Sequence, residues 1–82
     1  MNIDLLIKMT NEISAYFAAE RDTEQAAKDV ARHLRRYWDP RMRRQIITYY
    51  EERQGAGLTE LALRGVELLA AAEHAAAPQP TS

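Results

Sequence analysis

Histidine is the residue to examine first for chemistry in this chain, because it titrates near neutrality and binds metals. The sequence has two, His33 and His74. They stand far apart, and neither lies in an HExxH or similar spacing, whereas a metal needs three or four clustered donors. The 82 residues include no cysteine, so neither thiolate ligands nor disulfides are available. His33 follows Asp29 by four residues, and an ordinary i,i+4 pair on a helix surface accounts for both. Glu51 and Glu52 are adjacent, point in different directions on a helix, and read as a solvated face. No glycine-rich phosphate loop follows a strand, and no nucleophile has a credible base beside it. A free-standing enzyme is not expected.

The arginines are different. Six of them (32, 35, 36, 41, 43 and 44) crowd between Arg32 and Arg44, with Asp39 the one acid among them. The formal net charge is only −1, so this basic stretch sits in an otherwise balanced chain. That balance argues against a general nucleic-acid or membrane-surface binder.

The helix dipole divides the cluster. Arg35 and Arg36 fall in the last turn of a predicted helix, where cations are favoured. Arg41, Arg43 and Arg44 fall in the first turns of the next, where each is disfavoured by up to ~1 kcal/mol, partly offset by Asp39. Three cations placed against the local field suggest an anion receptor, since free N–H groups and guanidinium forks both suit carboxylate or phosphate. Simple solvation of a helix surface is the plainer alternative. Trp38 reads either as a core residue or as a binding anchor beside the arginines. The candidate partner- or anion-binding set is Trp38, Asp39, Pro40, Arg41, Arg43 and Arg44, with Arg36 and His33 beside it. The Tyr16-Phe17 and Tyr49-Tyr50 pairs are expected in the core.

Helical periodicity supplies the elements that position these residues. A first amphipathic helix is expected from about Asp4 to Ala19, with Asn2 as N-cap and Leu6, Met9, Ile13, Tyr16 and Phe17 inward. Asp22, followed by Gln25, caps a second helix from Thr23 to about Tyr37. Its inner face holds Ala26, Ala27, Val30, Leu34 and either Tyr37 or Trp38. Asp39 and Pro40 then start a third helix, to Arg53, after a sharp Trp-Asp-Pro corner. Gly55-Ala56-Gly57 ends it, and Thr59 caps a fourth, with Leu58 and Leu63 as a hydrophobic staple. Gly65 on the apolar face of that helix permits close approach by another. The expectation is an all-α bundle of about four helices over residues 1–76 and a disordered tail over 77–82. No strand pattern competes.

A domain this small buries about 60% of the surface that its unfolded chain exposes, so docking onto a larger partner is a natural source of stability. No apolar run approaches the ~20 residues of a membrane span, and no targeting signal is visible. A cytoplasmic protein that does not enter a membrane is expected.

The run His33-Leu34-Arg35-Arg36-Tyr37-Trp38-Asp39-Pro40-Arg41-Met42-Arg43 carries a resemblance. So do the earlier Leu6-Ile7-Lys8-Met9 and Asn11-Glu12-Ile13, and the later Gly57-Leu58. Together, over about residues 5–70, these resemble the delta subunit of soluble, molybdenum-dependent, NAD-linked formate dehydrogenases. The resemblance implies an accessory subunit that binds no cofactor by itself. In the implied complex, the large catalytic alpha subunit carries molybdopterin guanine dinucleotide and iron–sulfur clusters. The beta and gamma subunits carry FMN, further iron–sulfur clusters and the NAD site. It also implies that residues 38–44 dock onto the alpha subunit, or help to place its phosphate-rich cofactor.

The alternative is a helix-turn-helix-like DNA-binding domain, since arginines lead the second of two closely linked helices. Against it stand the net acidic charge and a Trp-Asp-Pro link in place of a glycine-containing turn. In isolation, a homodimer through the apolar fourth helix is a further expectation.

Overall fold

The first helix starts where Asn2 turns its side-chain Oδ1 onto the N–H of Asp4, 2.9 Å away. This α1 runs from Ile3 to Phe17, two residues short of the expected end. At the second start, Asp22 Oδ1 accepts from the N–H groups of Glu24 and Gln25 at 3.1 and 3.2 Å. Gln25 does not return the bond: its amide donates to Asp29, while Glu20 accepts from the Asp22 N–H. The resulting α2 spans Thr23–Tyr37. Asp39 Oδ1 answers the N–H groups of Arg41 and Met42 at 2.9 and 3.0 Å, Pro40 occupies the first turn, and α3 spans Pro40–Arg53. Only Trp38 and Asp39 separate α2 from α3, both with extended backbone.

Gln54 (φ 57°) and Gly55 (φ 71°) turn the chain out of α3 through the left-handed region. Gly55 is buried, and a Cβ there would lie 2.3 Å from Leu63 Cδ1 and 3.3 Å from Leu58 Cδ1. The two leucines expected as a staple therefore close over Gly55, where glycine suits both the positive φ and the space. Thr59 Oγ1 accepts from the Ala62 N–H, and α4 spans Glu60–Ala76. The structure, a computed structural model, describes residues 2–76; the tail expected at 77–82 lies outside the described residues. Among the described residues there is no strand, and the fold is the all-α four-helix bundle that the periodicity predicts.

The most extensive packing joins α2 to α4. Small residues allow it: Ala26 and Ala27 on α2, and Ala62, Gly65 and Ala70 on α4, are all buried. A Cβ on Gly65 would lie 2.5 Å from Val30 Cγ1, so the two helices approach closely at that glycine. Around this contact Leu6, Val30, Leu34, Ile46, Val66 and Leu69 are fully buried. Each contributes about 1.5–3 kcal/mol relative to exposure.

A polar clamp ties α1 to the loop before α4. The Asn11 amide donates to the Gly57 carbonyl at 3.0 Å, and its Oδ1 accepts from the Thr59 N–H at 2.9 Å. Ser14 Oγ lies 3.2 Å from Thr59 Oγ1, and Tyr49 Oη donates to the Ala56 carbonyl at 2.6 Å. Four backbone or cap groups of one loop are thus fixed by side chains from two other helices.

One expectation about aromatic residues is corrected and one open alternative is decided. Tyr16, expected inside, is 74% exposed, while its neighbour Phe17 packs against the core. On the inner face of α2, Trp38 takes the buried position at 5% exposure and Tyr37 is left 66% exposed.

Candidate docking surface

Among the six clustered arginines, Arg43 has its guanidinium group tied into the fold. Its Nη1 donates to the carbonyls of Arg35 and Trp38, both at 3.0 Å. These carbonyls belong to the end of α2, where the helix dipole favours a cation. Its Nε lies 2.6 Å from Glu73 Oε1 on α4, a charge contact whose alignment does not meet that of a hydrogen bond. Arg43 therefore joins α2, α3 and α4. The unfavourable field at the start of α3 is offset by the favourable one at the end of α2, and no external anion is needed for this arginine.

Arg41 and Arg44 differ. Both are exposed, and no carboxylate among the described residues pairs with either. With Thr48 and Gln45 they border a shallow open depression on α3. No acid occupies the first turn of this helix, and the Asp39 cap lies before it. On α2, Arg35 and Arg36 sit in the last turn as the dipole predicts. With Lys28 and Arg32 they border a depression over Leu68 and Ala72.

The rest of the candidate set divides in the same way. Trp38 belongs to the core cluster, and Asp39 spends Oδ1 on capping. Pro40 is exposed in the first turn of α3. His33 does not pair with Asp29, whose Oδ1 accepts from Gln25. Instead its ring lies 4.7 Å from that of Tyr37 and 6.1 Å from that of Phe17. Arg36 lies over the Tyr37 ring, 5.8 Å from the centroid.

Sequence reasoning missed a polar network on the opposite side of α2. Arg64 of α4 donates to both carboxylate oxygens of Glu24, at 2.8 and 3.2 Å, and also to Glu67. Glu67 in turn accepts from Tyr50 Oη at 3.1 Å. The Arg64 hydrogen bond holds the Glu24 carboxyl below its ordinary pKa. The bond to Glu67 pushes the Tyr50 phenol above its ordinary value. The partners lie 17 and 40 residues apart, so only the fold brings them together.

Among the described residues there is no group of three or more His, Cys, Asp or Glu that could hold a metal ion. No described helix is long and apolar enough to cross a membrane. The DNA-binding alternative finds no support, since α2 and α3 barely pack on each other, unlike the paired helices of a helix-turn-helix.

Comparison with known proteins agrees with the resemblance carried by residues 33–43. No curated protein and no solved structure matches the chain. The family model of the NADH-dependent formate dehydrogenase delta subunit, FdsD, matches residues 5–66. This span includes the clamp residue Asn11, the arginine cluster and the Arg64 pair, and the chain belongs to that delta-subunit family.

Proposed function

We propose that this chain is a non-catalytic accessory subunit that aids assembly or stability of the molybdenum-containing alpha subunit of a cytoplasmic formate dehydrogenase. Family membership supports a place in that complex. The observation that carries the docking site is the contrast within α3: Arg43 is paired inside the chain, while Arg41 and Arg44 are exposed with no carboxylate partner among the described residues. Trp38, Asp39, Pro40 and Arg43 hold the framework, and Arg36, Arg41 and Arg44 present the charge. Exposed guanidinium groups at a helix N-terminus suit carboxylates of the alpha subunit or phosphates of its pterin cofactor. Molybdopterin guanine dinucleotide, iron–sulfur clusters, FMN and NAD would all be held by the other subunits.

The test is co-expression with the other subunits and purification through a tag on the alpha subunit. The Arg41→Glu/Arg44→Glu variant should be lost from the purified complex while retaining the circular dichroism of the wild-type chain. Stoichiometric recovery of that variant would remove these arginines from the interface.

A further inference from the structure

We propose that the groove between α1 and α2 is a second docking point, which receives an apolar side chain flanked by a carboxylate on a protein partner. The proposal rests on the accessory-subunit reading and deepens it by naming a surface and the chemistry that fits it.

The groove has a volume of about 720 Å³, with Met9, Ile13, Phe17 and the exposed acid Glu12 contributed by α1 and His33 by α2. Tyr16 and Tyr37 line it too, at 74% and 66% exposure. The four rings form one continuous series. Tyr16 meets Phe17 at 5.1 Å, Phe17 meets His33 at 6.1 Å, and His33 meets Tyr37 at 4.7 Å. The apolar surface extends beyond the groove along α1, because Leu5, at 44% exposure, lies on the same helical face as Met9 and Tyr16. Aromatic side chains already held by their neighbours lose little freedom on binding, which is why tyrosine is enriched among the residues that dominate interfaces.

Charge complementarity selects the occupant. A recess lined by Arg32 and Arg36 adjoins the groove and shares Phe17, His33 and Tyr37 with it. Among the described residues neither arginine has a carboxylate partner, and the recess sets two guanidinium groups against one acid, Asp29, which accepts from Gln25. Arg36 is held over the Tyr37 ring, so its charge lies beside the apolar surface. A helix or loop with one large apolar side chain and a neighbouring Asp or Glu answers both halves of the site. A second copy of this chain is a poorer fit. A symmetric contact places the same patch on both sides, so Arg32 and Arg36 of each copy would find only the other's Glu12 as a carboxylate, with Asp29 already bonded to Gln25.

The test uses the complete complex. A photo-crosslinking phenylalanine analogue replaces Tyr16 in one preparation and Tyr37 in another, with Glu52 on α3 as control. Cross-links from both tyrosine positions to a larger subunit, mapped to a segment with an apolar residue beside Asp or Glu, are expected. In parallel, Tyr16→Ser/Tyr37→Ser should weaken rebinding to a complex lacking this chain on the order of tenfold or more. It should leave the melting temperature of the isolated chain nearly unchanged. Cross-links only to a second copy of the chain, or none while the chain still co-purifies, would overturn the groove and leave the accessory role standing. Failure of the wild-type chain to co-purify would overturn the accessory role and the groove with it.

Discussion

The loop between α3 and α4 and the surface around the α2–α3 link are both polar and both irregular, yet the chain treats them oppositely. At the loop, Asn11, Tyr49 and Thr59 answer backbone groups from within the molecule. At the link, Arg43 is absorbed into the fold, but Arg36, Arg41 and Arg44 remain exposed, with Tyr37 exposed beside Arg36. One region is complete in the isolated chain and the other is not. Unanswered charge and exposed aromatic surface gather where a small domain has most to gain from a larger partner.

The contrast breaks first at Trp38. If this residue is part of the core, Trp38→Ala should cost about 3–5 kcal/mol, comparable to the whole stability of a domain of this size. Thermal or urea denaturation followed by circular dichroism should then show a chain that is largely unfolded at 25 °C. A variant that melts like the wild type would return Trp38 to the surface. Trp38→Ala is therefore a poor test of docking, because it removes the framework along with the interface.

The loop side is tested by Asn11→Ala. Two backbone groups lose their partner, and because the site is partly open, water recovers some of the loss. A cost of about 1–2 kcal/mol is expected. Hydrogen exchange should quicken at the Thr59 amide more than at Leu69. Uniform exchange would mean that the clamp does not hold the loop locally.

These two residues also mark how far the sequence was legible. Asn2, Asp22, Asp39-Pro40, Gly55 and Thr59 act within three or four residues of themselves, so each helix start and the stop after Arg53 could be read directly. The buried stripe of α2 was legible for the same reason. Asn11 was not, because on its own helix it marks the polar side, and its partners lie 46 and 48 residues away. Arg43 misled for a related reason. The helix that carries it disfavours a cation at that end, whereas the favourable carbonyls belong to the preceding helix and its link. Tyr16 shows the limit of periodicity, which gives the direction of a side chain but not whether a neighbouring helix reaches it.

A smaller effect should come from acid. The folded pKa of Glu24 lies below its unfolded value because Arg64 binds the ionised form. Its contribution is therefore fully present above the unfolded pKa and is lost as the pH falls through the folded one. The Glu24→Gln variant should lose less stability than the wild type between neutral pH and mild acid. The difference should shrink in high salt, since the pair is exposed. Parallel pH curves would mean that the pair contributes nothing to folding.

The smallest effect on folding is also the one that sharpens the comparison most. Arg41 and Arg44 stand at the positive end of α3 without a carboxylate, so neutralising them in the isolated chain removes an unfavourable interaction. Arg41→Gln/Arg44→Gln should leave the stability to thermal or urea denaturation unchanged or raise it slightly, by about 0.3 kcal/mol for each residue at low salt. Arg43→Gln should do the reverse. It withdraws the donors to Arg35 and Trp38 and leaves Glu73 without its cation, at a cost of about 1–3 kcal/mol. Opposite signs from arginines in one turn of one helix would separate the charge that the fold uses from the charge that it leaves for a partner. A loss of stability in the Arg41/Arg44 variant would show that those charges serve the fold as well, and the distinction between the two regions would then fail.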